Sequence, residues 1–241
     1  MSRFFYGLSL SKIRDLAYIL HIETSTKNCS VSIAADGKVL SLKEINNGNY
    51  SHAEMLHPLI LDSLKESNIK ISDIDAVAVG KGPGSYTGLR IGVSAAKGLC
   101  FANNLPLLSI NSLEILAHTQ QIEKEGYLVP MIDARRMEVY AAIYNTNYES
   151  IRDTQADIVT DKSYLEYLEK GDVYFFGDGA EKCKETITHK NAHFVEGQFP
   201  SAEQMALLSY EKYLQKDFED VAYFEPFYLK DFIVTSEKKK I

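Results

Sequence analysis

The segment Ala76-Val77-Ala78-Val79-Gly80-Lys81-Gly82-Pro83-Gly84-Ser85 decides how this chain folds. A short apolar run breaks at a glycine-rich turn, and small and apolar residues then recur at helical spacing from Tyr86 to Asn103. That is a buried strand feeding a helix, with Ser85 placed as N-cap. A fainter copy lies downstream, where Val173-Tyr174-Phe175-Phe176 runs into Gly177-Asp178-Gly179.

Working outward, the same duplication extends to both sides. Ile19 to Glu23 reads as a strand ending in an acid, followed by the polar turn Thr24 to Asn28. Cys29 to Ala35 alternates as a half-buried strand does. Asp36-Gly37 then marks a hairpin into Lys38 to Glu44. An amphipathic helix is expected over His52 to Ser67, a strand over Pro106 to Ile110, and a further helix from Ser112. In the second half, Leu128 to Asp133 is again a strand ending in an acid, and Glu138 to Tyr144 its partner. Helices are expected near Tyr164 to Lys170 and Ala202 to Gln215, with Phe224 to Leu229 extended and His189 and His193 in a loop. Two copies of a three-strand meander with crossover helices give an α/β fold with a cleft between its halves.

Composition narrows the function. The 241 residues carry a formal charge of −7, whereas an autonomous nucleic-acid binder normally shows a basic excess. Cys29, Cys100 and Cys183 stand far apart, as in a reduced, cytoplasmic protein without a disulfide framework or zinc knuckle. No apolar run is long enough for a membrane helix, and the first 18 residues lack the pattern of a signal peptide. The Lys238-Lys239-Lys240 tail reads as a solvated end.

Several residues invite a chemical reading, each beside a plainer one. Gly82, Gly84, Ser85 and Thr87 place backbone N–H groups at a helix start, which suits an anion and equally suits a tight turn. The order of residues is not that of a Walker A loop. Glu23, with Thr24 and Ser25, and Asp133, with Arg135, sit at matching strand ends and face the expected cleft. There they either hold a metal-bound phosphate or serve as turn residues. Arg135, Arg136 and Glu138 are also placed for a local ion pair. Gly88, Gly92 and Ala96 recur every four residues, with Ala95 and Leu99 alongside. Glycine inside a helix costs about 1 kcal/mol relative to alanine, so close approach of a backbone is expected there. The backbone is this chain's own or that of another chain. No histidine pair has convincing metal-ligand geometry: His52 and His57 diverge around a helix, and His21 reads as a core residue.

The string GPGSYTGLRIG at 82–92 carries a family resemblance, together with IETST at 22–26, IDARRMEVYAA at 132–142 and FGDGA at 176–180. On these motifs the chain resembles the TsaB (YeaZ) family of tRNA threonylcarbamoyladenosine biosynthesis proteins, from Ile19 to about Leu229. The resemblance implies a duplicated actin-like (ASKHA, RNase H-like) fold. Its two domains are expected at 19–122 and 123–200, with a C-terminal helix and extended segment at 201–229. Residues 1–18 form an extension outside the match, and 230–241 a polar tail.

The resemblance also implies a non-catalytic scaffold in the complex that makes t6A on tRNA. The expected partners are a TsaD-like catalytic subunit and a TsaE-like ATPase, with tRNA met indirectly and a homodimer formed in isolation. No cofactor and no metal are expected. TsaD-like chains carry Asn-His-x-x-x-His, whose histidines help bind a metal, where this chain has Asn111, Ser112 and Leu116. Glu23 stands where most relatives have Asp. With catalysis discounted, Gly88, Gly92, Ala95, Ala96 and Leu99 become the expected partner interface, and the glycine turns a vestigial nucleotide site. The competing expectation is an enzyme of the same superfamily, a metal-dependent peptidase or an ATP-using kinase.

Overall fold

The computed structural model describes residues 16–46, 48 and 51–230. Residues 1–15 of the expected extension and the lysine tail lie outside the described residues. Strands β1 (Tyr18–Glu23), β2 (Cys29–Ala35) and β3 (Lys38–Ile45) form an antiparallel meander, turned at Asp36-Gly37 with both residues at positive φ. Helix α1 (His52–Ser67) crosses to β4 (Ala76–Gly82), and α2 (Tyr86–Asn103) crosses to β5 (Leu107–Asn111). Both β4 and β5 run parallel to β1, giving the order β3-β2-β1-β4-β5.

Helix α3 (Ser112–Ala117) leads into the second half. There β6 (Tyr127–Asp133), β7 (Glu138–Asn145) and β8 (Ser150–Ile158) repeat the meander. The short α4 (Leu165–Leu168) precedes β9 (Val173–Phe176) and β10 (Ala192–Val195), both parallel to β6. The order β8-β7-β6-β9-β10 reproduces the first sheet strand for strand. This is the duplicated actin-like arrangement. Helix α5 (Met205–Gln215) returns to the first sheet.

Each sheet is covered on both faces. One side of the first sheet packs Leu20, Ile22, Val31, Val77 and Val79 against α1 and α2. The other side packs Ile19, Ala78, Leu108 and Ile110 against Ile115 and Met205. On the second sheet, Val129, Val139 and Phe175 meet Tyr164 and Leu168, while Leu128, Ile132 and Phe176 meet Leu113 and Leu116 of α3. Thus α3 belongs in sequence to the first half and packs on the second, joining the two cores. Asn111 Nδ2 donates to Thr154 Oγ1 at 2.9 Å across the same junction.

Four expectations need correction. All seven residues of β2 are buried, not alternate ones, because the chain near Ser201 covers the face carrying Ser30 and Ser32. Ser32 Oγ donates to Ala202 O at 2.7 Å, so the hydroxyl is buried without an unmet donor. The strand β8 was not expected, and His193 lies in strand β10 instead of a loop, paired with Asp172 and stacked on Tyr174. Helix α5 starts at Met205, three residues after the expected Ala202.

Candidate functional site

The β1–β2 turn, the β4–α2 corner and the start of α3 meet at one place. Glu23, at the end of β1, is fully buried there. Its Oε1 accepts from the Ser25 N–H at 2.6 Å, and its Oε2 accepts from the Ser112 hydroxyl at 3.2 Å. Ser112 Oγ in turn accepts from the Gly82 N–H at 3.2 Å. Burial pushes the Glu23 carboxyl up from its ordinary pKa, and the hydrogen bonds from Ser25, Ser112 and Thr24 pull it partly back.

The corner is closed by steric fit. A Cβ on Gly80 would lie 1.9 Å from Glu23 Oε2, and one on Gly84 would lie 2.3 Å from Ser25 O. Along α2, a Cβ on Gly88 would meet Thr24 O at 2.2 Å, and one on Gly92 would meet Thr24 Oγ1 at 2.2 Å. The glycines therefore admit the chain's own β1–β2 turn, one of the two readings their spacing left open. Ala96 is likewise buried in the core, so Gly88, Gly92 and Ala96 form the inner face of α2.

Backbone donors at the helix start are also engaged. Ser85 N–H donates to Ser25 O at 2.7 Å, Gly88 N–H to the Ser85 hydroxyl at 3.3 Å, and Leu89 N–H to Ser85 O at 2.8 Å. Ser85 is thus the N-cap expected of it. The Thr24 hydroxyl donates to Gly88 O at 2.8 Å, and His52 Nε2 lies 2.7 Å from Thr26 O. Thr87 is exposed. Two of the amides that could cradle a phosphate are thus spent inside the chain, that of Ser85 on Ser25 and that of Gly88 on the Ser85 hydroxyl.

The second copy of this corner differs. Asp133 is exposed, pairs with Lys182, and accepts from the Arg135 N–H at 3.0 Å. Asp178 accepts from the Asp133 N–H at 3.0 Å, and burial pushes its carboxyl up. Glu138 pairs with Lys230, not with Arg135 or Arg136 as expected of the hairpin. Among the described residues, no hydrogen bond joins Glu23 to Asp133.

Leu116 takes part in the core between the halves, where a Cβ on Gly177 would lie 2.7 Å from its Cδ2. Burying such a side chain stabilises the fold by about 1.5–3 kcal/mol. Ser112 and Leu116 are therefore both structural here, one as a hydrogen-bonded tie and the other as a packed leucine. Among the described residues, no three His, Cys, Asp or Glu side chains come together as a metal site.

Burial raises the thiols of Cys29 and Cys183 to about 11 and that of Cys100 to about 12, so all three are poor nucleophiles. Among the described residues no helix is long and apolar enough to cross a membrane.

The outer face of α2 has two parts. Near its start, Arg90 lies 4.2 Å over the Tyr86 ring and donates to the Tyr228 hydroxyl at 3.4 Å, so the C-terminal segment covers it. Lys97 Nζ donates to Phe224 O at 2.8 Å, and Phe227 N–H to Lys81 O at 2.7 Å, holding that segment in place. Farther along, Phe101 is 86% exposed, and Leu61 of α1 is 66% exposed. Leu61 and Leu99 line an apolar groove of about 530 Å³ with Ile60, Leu64, Ile69 and Ile71. The exposed aromatic and this groove were not singled out in the sequence; their signal was the apolar residues on α1 outside its buried face.

A family model described as "TsaD: tRNA N6-adenosine threonylcarbamoyltransferase" matches residues 47–237. The Escherichia coli protein named tRNA threonylcarbamoyladenosine biosynthesis protein TsaB is 30% identical, over 88% of this chain and 94% of its own length. The Haemophilus influenzae protein of the same name is 28% identical, over 88% and 93%. The Bacillus subtilis one is 32% identical, over 70% and 74%. Among solved structures, YeaZ from Pseudomonas aeruginosa superposes with a TM-score of 0.71 at 27% identity, over 88% of this chain and 100% of that one. A second structure from that organism, described as an uncharacterized protein with similarity to peptidase YEAZ, gives 0.77 at 26% identity, over 89% and 100%.

Proposed function

The chain belongs to the TsaB family of tRNA threonylcarbamoyladenosine biosynthesis proteins, and we propose that it acts there as a non-catalytic partner subunit. The observation that carries this reading is the Ser112 tie. The position where the resemblance expects a metal-binding histidine holds a hydroxyl, already committed to Glu23 and the Gly82 amide. A neutral hydroxyl is a poor substitute for imidazole at such a metal, and Leu116 offers no ligand atom. In the glycine-rich corner the Gly82, Ser85 and Gly88 amides are already engaged within the chain, which favours a scaffold over a kinase.

A scaffold needs a face to bind with. Exposed Phe101 of α2 and Leu61 of α1, with the groove lined by half-buried Leu99, are the surface proposed for a TsaD-like catalytic subunit, and Ala95 is half-buried against the core beside it. Apolar side chains left open to water there are recovered by association. A TsaE-like ATPase joins the pair, and the isolated chain uses the same face to form a homodimer. The two copies of the fold are divided at 19–122 and 123–200.

Co-elution of the purified chain with a TsaD-like subunit, and then with a TsaE-like ATPase, tests the assembly. A stable pair is expected; separate elution at micromolar concentrations contradicts the reading.

A further inference from the structure

The β6–β7 turn presents two adjacent guanidinium groups, Arg135 and Arg136, that form no ion pair among the described residues. Arg135 and Arg136 occupy consecutive left-handed positions, φ +69° and +51°, which side chains larger than Asn and Asp seldom adopt. Both are exposed. The carboxylates on either side are engaged elsewhere, Asp133 with Lys182 and Glu138 with Lys230. Among the described residues, neither arginine has a carboxylate within ion-pair distance.

The corresponding turn of the first half, between β1 and β2, carries one exposed cation of its own, Lys27. Arg135 and Arg136 alone form a local cationic patch on a chain whose net charge is −7.

We propose that this face contacts the phosphate backbone of the tRNA substrate once the chain is assembled in its complex. The inference rests on reading the chain as a subunit of a tRNA-modifying assembly. Guanidinium forks match phosphate oxygens and stay charged at every working pH. A protein-docking surface would bury an apolar centre, and the turn offers only Met137, at 37% exposure. The acidic remainder of the chain repels RNA, which confines contact to this rim and makes it invisible in the overall charge.

The test is fluorescence anisotropy of labelled tRNA with the complex, over a salt series, for wild type and the double variant Arg135→Gln, Arg136→Gln. A control variant, Lys124→Gln, removes one cation at the opposite end of β6. The double variant is expected to bind roughly tenfold more weakly at about 0.1 M salt, with the log–log salt slope reduced by about 1–2. The control is expected to match wild type. Unchanged affinity and slope in a double variant that still co-elutes overturn the proposal. Loss of co-elution also overturns it, because the turn is then a protein contact. If wild type itself does not assemble, the functional reading fails, and the same salt series on the chain alone decides whether the arginines bind RNA.

Discussion

Ser112 Oγ bridges Glu23 Oε2 and the Gly82 amide, at 3.2 Å to each, and so ties the end of β1 to the β4–α2 corner and the start of α3. Three elements from separate parts of the chain depend on one hydroxyl. It stands where the family resemblance expects a metal-binding imidazole.

Replacing Ser112 with alanine leaves a buried carboxyl without one donor and a buried amide without its acceptor. Such losses cost about 1–3 kcal/mol. A urea titration should show a lower midpoint at unchanged slope for Ser112→Ala. An unchanged midpoint would mean that the tie is not formed.

Gly92 and Thr24 form a testable pair. A Cβ at Gly92 meets Thr24 Oγ1 at 2.2 Å, so Gly92→Ala should destabilise the fold by about 1–3 kcal/mol through overpacking. The same substitution should cost less in a Thr24→Ala background, because the obstructing hydroxyl is gone. A double-mutant cycle of unfolding free energies reads this coupling. Strict additivity would place the close approach elsewhere.

The exposed apolar side chains of α2 and α1 should respond in the opposite way. Phe101→Asp and Leu61→Asp alter exposed side chains, so the unfolding free energy should stay within about 0.5 kcal/mol of wild type. Both should weaken co-elution with the TsaD-like subunit by at least tenfold in apparent affinity. Full binding by both variants would move the interface off this face.

His21 gives a pH dependence with a definite sign. Its Nε2 lies 2.7 Å from Ser209 Oγ and its Nδ1 3.0 Å from Ser32 Oγ, and burial lowers its pKa from 6.5 to about 4. Between those values the unfolded chain binds a proton here and the folded chain does not. Stability from this group is therefore full above pH 6.5 and declines as pH falls through 4, by up to about 3 kcal/mol. Glu23 works against it. Its raised folded pKa favours the fold below the ordinary carboxyl value and less as pH rises. Subtracting His21→Gln from wild type isolates the histidine: the difference in urea midpoint should grow from pH 4 to 6.5 and then level off. A difference independent of pH contradicts the assignment.

The first sheet was legible because its punctuation is local: Asp36-Gly37 at the hairpin and Ser85 at the helix cap. The strand β8 was missed because its polar residues include Arg152, Asp153, Gln155 and Asp157, and its apolar Ile151 and Ile158 are exposed on an edge strand. The burial of Ser30 and Ser32 depends on residues near 201, which no local pattern encodes. For α2, the spacing of glycines announced a close approach, but which backbone approached was a tertiary fact. Thr24 lies on another strand's turn. The arginine turn was marked in the sequence, Arg135 beside Asp133 and both arginines beside Glu138, but that Glu138 pairs with Lys230 instead is a tertiary fact.

The central claim is that this chain supports threonylcarbamoyl transfer without performing it. The most direct measurement is the rate of transfer to tRNA by the purified chain alone, beside the same chain mixed with a TsaD-like subunit and a TsaE-like ATPase. The account predicts transfer from the mixture and none above background from the chain alone. Repeated turnover by the isolated chain would contradict it.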